Sequence, residues 1–195
     1  MVVGAGSSGA QIADELNRAG RKVFLSVGPH DRPPRRYRDR DFVWWLGVLG
    51  LWDLAAQKLG AEHVTISVSG AYGGRTIDFR RLGRDGVKLL GRTEDFDNGV
   101  LTFADDVRKN IDAGDANYNQ MLDAADAYVD AMGLDLPLDP QAREACPDPN
   151  SLIHPIRSLN LAAEGITTII WATGYKQDFG WLKTDAFDDR GAPIH

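Results

Sequence analysis

An α/β fold built on a parallel sheet is what this sequence predicts, and three observations carry the prediction. A glycine loop, Gly4-Ala5-Gly6-Ser7-Ser8-Gly9, follows directly on the apolar pair Val2-Val3. Behind it, residues 10–19 place Ile12, Ala13, Leu16 and Ala19 on one helical face, and Gly20 stands where a helix C-cap belongs. Residues 22–27 are then apolar with little alternation, the pattern of a strand covered on both faces. Strand, glycine turn, helix and strand in this order make a βαβ unit, whose two strands run parallel.

The rest of the chain extends the same pattern. Residues 28–40 read as a loop rich in proline and arginine, and residues 42–59 as a helix. Residues 63–69 (HVTISVS), 87–90 and 100–103 read as short strands. Between the first two, Tyr72-Gly73-Gly74 is a turn signal and residues 78–82 suit a short helix. From 105 to 132 the period is helical, with Met121, Leu122, Ala125, Tyr128, Val129 and Met132 on one face and Asp123, Asp126 and Asp130 opposite. Asp105 and Asp106 are expected to cap this helix, and Gly133 to end it. Residues 134–155 are a proline-rich connector, and 167–172 (TTIIWA) a buried strand followed by Thr173-Gly174-Tyr175.

Composition bounds the function. The chain has 195 residues, 43% of them hydrophobic, and a net charge of −6, which weighs against nucleic acid or an anionic membrane surface as a partner. Its longest apolar run, residues 42–52, is too short for a stable membrane span, which needs about 20 residues. Met1-Val2-Val3 enters the glycine loop with no basic leader, and Cys146 is the only cysteine, so a cytoplasmic protein without disulfides is expected. His30, His63, His154 and His195 are too scattered for a metal site, and no metal is expected. Trp44, Trp45 and Trp52 read as core or interface residues. No side chain stands out as a general acid, base or nucleophile.

The glycine loop carries the chemistry. A dinucleotide pyrophosphate needs a tight turn at the first glycine, close backbone approach at the second and close helix–strand packing at the third. Gly4, Gly6 and Gly9 have that spacing, and the following helix offers its N-terminal N–H groups and dipole to phosphate. Ser7 and Ser8 add hydroxyl donors. A Rossmann-like NAD(P)-binding domain is therefore expected. The second strand ends Leu25-Ser26-Val27-Gly28 without the carboxylate that usually holds the ribose diol, and His30, Arg32, Arg35, Arg36 and Arg38 follow. A guanidinium suits a 2′-phosphate, so NADPH is expected, with Ser26 and Arg32 or Arg35 beside that phosphate. Two alternatives remain open: Asp31 as a ribose acid, and arginines that merely pair with Asp39 and Asp41.

The run VVGAGSSGAQIADEL, the strand KVFLSVG with its basic loop, and the late segment IIWATGY together resemble the flavin-containing monooxygenase family, in its bacterial FAD/NAD(P)-dependent branch. The resemblance implies an NADPH-binding domain inserted in an FAD-binding domain of the two-dinucleotide flavoprotein type. It places Ala172, Thr173 and Gly174 near the dinucleotides where the chain returns from one domain to the other. It also implies the reaction: NADPH reduces FAD, and one atom of molecular oxygen passes to a small organic substrate. On this pattern, residues 1–134 form the NADPH domain, 135–152 a connector and 153–195 a partial return segment of an FAD domain incomplete in this chain.

Two other readings stay beside this one. One is a flavoprotein reductase that passes electrons without oxygenation, although no CxxC pair supports its disulfide branch. The other is a truncated, non-catalytic NADPH-binding module. An uncovered apolar strand edge invites self-association, so a homo-oligomer is open.

Overall fold

The computed structural model describes residues 1–54, 64–175, 178–188, 191 and 194. In chain order the elements are β1 (Val2–Val3), α1 (Ser7–Arg18), β2 (Phe24–Ser26), β3 (His30–Asp31), β4 (Arg36–Tyr37), β5 (Arg40–Asp41), α2 (Phe42–Val48), β6 (Thr65–Ile66), α3 (Phe79–Arg84), β7 (Lys88–Leu90), β8 (Thr93–Asp97), β9 (Val100–Phe103), α4 (Val107–Met132), α5 (Asn150–Ile153), β10 (Ser158–Asn160) and β11 (Ile170–Trp171).

The architecture is mixed α/β around a parallel sheet, in the manner of a Rossmann-like fold. Four strands lie in the order β11-β1-β2-β7, and every neighbouring pair is parallel. From β1 the sheet grows outward through β2 and β7 on one side and to β11 on the other, so the strand order reverses between β1 and β11. The two faces of the sheet bury different partners. Val2, Leu25 and Leu89 pack with Ala10 and Ala13 of α1, Phe79 and Leu82 of α3, and Val107 and Ile111 of α4. Val3, Phe24 and Leu90 pack with Leu101, Phe103 and Leu159 of a three-stranded antiparallel sheet, β10-β9-β8. This double coverage is why residues 22–27 show no polar alternation.

Several expectations need correction. The helix expected over 42–59 stops after Val48, a 3-10 turn follows at Leu51–Asp53, and residues 55–63, including His63, lie outside the described residues. Loop 28–40 contains two short pairings: β3 lies parallel to β6, and β4 forms a hairpin with β5. β8 and β10 were not foreseen. The segment TEDFD has no apolar run, yet it pairs with β9 across Asn98 and Gly99, with φ of 45° and 82°. Both residues tolerate the left-handed turn that joins tightly paired strands. The strand expected over 167–172 is two residues long and not buried: Trp171 is 64% exposed, because among the described residues β11 is the outer strand and pairs with β1 alone.

Asp106 occupies the N-cap of α4, but its carboxylate accepts from the Arg92 N–H at 2.9 Å instead of from the helix. Asp105 pairs with Arg157. Asp126, expected on the solvent face of α4, accepts from Tyr37 and Arg38, each at 2.9 Å, and from Arg143 at 2.8 Å. Trp45 is fully buried with Tyr37, Leu122, Ala125 and Val129 and donates its indole N–H to the Tyr37 oxygen at 3.1 Å, whereas Trp52 is 60% exposed.

Residues 158–160 pair with β9, and residues 170–171 with β1. Among the described residues, no helix is long and apolar enough to cross a membrane.

Candidate dinucleotide site

The glycine loop connects β1 to α1 at the point where the strand order reverses, the position at which open α/β sheets bind ligands. Each glycine has a separate steric reason. Gly4 takes a φ of +105°, and a Cβ there would lie 2.5 Å from the carbonyl oxygen of Ala172. A Cβ on Gly9 would lie 1.9 Å from the Gly4 oxygen, so the third glycine lets α1 close onto the turn. At Gly6 the Cβ position is 2.6 Å from the Thr65 hydroxyl. Gly6 is the N-cap of α1 and has no side chain to satisfy the helix's first N–H groups.

Opposite the loop, β11 delivers Ala172, Thr173 and Gly174. The Ala172 N–H donates to the Val3 oxygen at 2.7 Å, which fixes this segment beside β1. Gly4, Gly6, Ser7, Ser8, Ala172, Thr173 and Gly174 line one cavity of about 570 Å³, together with Thr65 and Ile66, which lie against Gly6 and Ser7. Gly9 packs behind it. A second cavity of about 510 Å³ shares Gly4, Gly28, Trp171 and Thr173 with the first and extends past Thr93, Phe96 and Leu101. Both volumes fall in the range of small-molecule sites, roughly 300–1,000 Å³.

The structure does not bring the other three expected residues to the same place as free groups. Ser26 borders the second cavity, but its hydroxyl donates to the Gly91 oxygen at 2.9 Å and accepts from the Thr93 N–H at 3.1 Å. The Thr93 hydroxyl adds a third contact at 3.0 Å. Arg32 is 8% exposed: it donates to Asp115 at 2.6 Å and to the Ile77 oxygen at 3.3 Å, and lies 4.3 Å over the Tyr118 ring. Arg35 is paired with Asp41. Neither arginine lines either cavity.

Sequence reasoning missed a third recess, of about 470 Å³, beyond the end of β2. Pro29, Asp31, Arg92, Asp105, Asp106 and Lys109 line it. Arg92 and Lys109 arrive from the segment after β7 and the first turn of α4, so no local motif announces them. Burial pushes the Asp31 carboxyl above its ordinary range.

His30 borders this recess from inside. It is 2% exposed, its Nδ1 lies 3.0 Å from the Gly28 oxygen, and its Nε2 has no hydrogen-bond partner among the described residues. Burial holds its pKa below the usual histidine value. Because the folded pKa is the lower one, unfolding takes up a proton as pH falls below about 6.5. Stability is therefore fully present above that pH and declines below it, by at most about 1.4 kcal/mol per pH unit for this one group. Thermal melts at pH 7.5 and 5.0 should show the decline, and His30→Asn should reduce it.

No family model matches the chain, and no solved structure does. Along its whole length, over 198 aligned positions, the chain is 26% identical to a Geobacillus kaustophilus (strain HTA426) protein described as an uncharacterized oxidoreductase, CzcO-like. It spans 40% of that relative's length. Among the described residues, no group of three or more His, Cys, Asp or Glu could hold a metal ion.

Proposed function

We propose that this chain binds a nicotinamide dinucleotide across its glycine loop and is the NADPH-binding part of an FAD-dependent oxidoreductase of monooxygenase type. The observation that carries the reading is the loop itself: Gly4, Gly6 and Gly9, with no room for a Cβ, at the strand-order reversal and opposite Ala172–Gly174. The likeness to a CzcO-like oxidoreductase supports the reaction class. The chain carries one loop of this kind, which fits one dinucleotide. FAD supplies hydride acceptance and oxygen transfer in this reading, held largely by protein beyond the portion of the relative that this chain spans.

In this pose the pyrophosphate lies at Gly6, Ser7 and Ser8, the adenosine ribose beyond the end of β2, and the nicotinamide toward Thr173 and Gly174. The 2′-phosphate then reaches the recess that Arg92 and Lys109 line. Two of the three carboxylates there already have partners, Asp105 in Arg157 and Asp106 in the Arg92 N–H. Calorimetric titration with NADPH and NADH tests the assignment. NADPH should bind more tightly, and Arg92→Ala and Lys109→Ala should each lower its affinity about ten-fold, the effect of one charge-assisted hydrogen bond, while changing NADH binding little. Equal affinity for the two nucleotides would remove the basis for NADPH. Oxygen uptake by the full-length protein, reduced with NADPH in the presence of substrate, distinguishes oxygenation from simple electron transfer.

A further inference from the structure

Resting on the dinucleotide reading, we propose that residues 64–68 form a strap over the pyrophosphate cradle, which must withdraw before a dinucleotide can bind. The second glycine of such a loop exists so that a pyrophosphate can approach the backbone. Here that space is taken. The Thr65 hydroxyl lies 2.6 Å from the point where a Gly6 Cβ would stand, and the Thr65 Cβ and Cγ2 follow at 3.7 Å. The strap occupies the place of the phosphate with the chain's own hydroxyl.

The hydroxyl that would serve the phosphate is also engaged. Ser7 Oγ donates to the Ile66 oxygen at 2.9 Å and accepts from the Val68 N–H at 3.1 Å. One residue further along, the Ser67 hydroxyl donates to the Ala5 oxygen. Its N–H donates to the Asp31 oxygen at 2.7 Å, continuing the short parallel pairing of β3 with β6. Three of these contacts hold the strap to the loop, and the fourth holds it to the end of the β2 side of the site.

The strap is made to be displaced. β6 is two residues long and, among the described residues, pairs with β3 alone, and Ile66 is 51% exposed. Among the described residues its ties to the site are hydrogen bonds, two of them made by the fully buried Ser67, each of modest net strength, in place of an apolar seam. A pyrophosphate brings stronger, charge-assisted acceptors for Ser7 and for the first N–H groups of α1. The exchange is thus hydrogen bonds of the strap for those of the ligand, and it lowers the apparent affinity by the fraction of molecules in which the strap lies closed.

Two measurements test this. The double variant Thr65→Ala, Ser67→Ala should bind NADPH about ten-fold more tightly than the unmodified chain, equivalent to about 1.4 kcal/mol. Amide hydrogen exchange on the unmodified chain needs no variant: NADPH should speed exchange at Ser67 and Val68 while slowing it at Ser7 and Ser8. Equal or weaker binding by a folded double variant, or slower exchange at Ser67 and Val68, overturns the strap while leaving dinucleotide binding intact. Failure of both proteins to bind NADPH overturns the dinucleotide reading and the strap with it.

Discussion

Gly9→Ala is expected to lower the unfolding free energy by about 3 kcal/mol, the upper range for forcing an atom into a packed site. The new Cβ would fall 1.9 Å from the Gly4 oxygen, and neither partner can yield cheaply. Gly9 sits in the first turn of α1 against the sheet, and Gly4 is tied through its N–H to the Ser26 oxygen at 3.1 Å. Relief requires α1 to move off β1, which opens the core around Val2, Ala10 and Ala13 and moves the helix N-terminus away from the proposed pyrophosphate position. The melting temperature should fall by about 6–12 °C, from the usual 2–4 °C per kcal/mol in a chain of this size. NADPH affinity should fall at least about ten-fold. Gly70→Ala is the control: among the described residues no atom lies within 4 Å of its Cβ position and its φ is −92°, so stability should change by less than about 0.5 kcal/mol. A Gly9→Ala chain that melts like the unmodified one would contradict the packing described.

Arg32→Met separates a structural arginine from a phosphate-binding one. In the structure, Arg32 pairs with Asp115 of α4, donates to the Ile77 oxygen and covers the Tyr118 ring. Removing one partner of a buried pair costs about 3–5 kcal/mol. The cost here is expected nearer 2 kcal/mol, because Asp115 is about a fifth exposed and keeps Arg80 at 2.7 Å. The ratio of NADPH to NADH affinity should stay unchanged within about two-fold, well inside the 1.4 kcal/mol that a ten-fold change represents. Denaturant unfolding together with calorimetry reads both quantities. Loss of NADPH preference without loss of stability would return Arg32 to the nucleotide.

These two residues show what was legible in the sequence. Gly9 could be read because its role is local: strand, turn and helix are contiguous, and the spacing of the three glycines states the geometry. The same holds for α4, whose apolar face repeats at helical spacing until Gly133. Arg32 could not be read, because its partner Asp115 lies 83 residues away, and a basic loop looks alike whether its charges meet phosphate or carboxylate. Arg92 and Lys109 were invisible for the complementary reason: they reach the end of β2 only once β7 and α4 are packed beside it. β8 had a signal that went unused, since Asn98-Gly99 is a hairpin turn even between charged segments. Trp171 was misplaced because an apolar run specifies a strand but not its position in the sheet, and an outer strand keeps one side open.

Amide hydrogen exchange of the chain with and without saturating NADPH tests the central claim most directly, because it reports where the nucleotide acts as well as whether it binds. Slowed exchange at residues 6–9 and 172–174, with α2 unaffected, is the predicted result. Slowed exchange confined to other parts of the chain, or no change anywhere at millimolar NADPH, would contradict it.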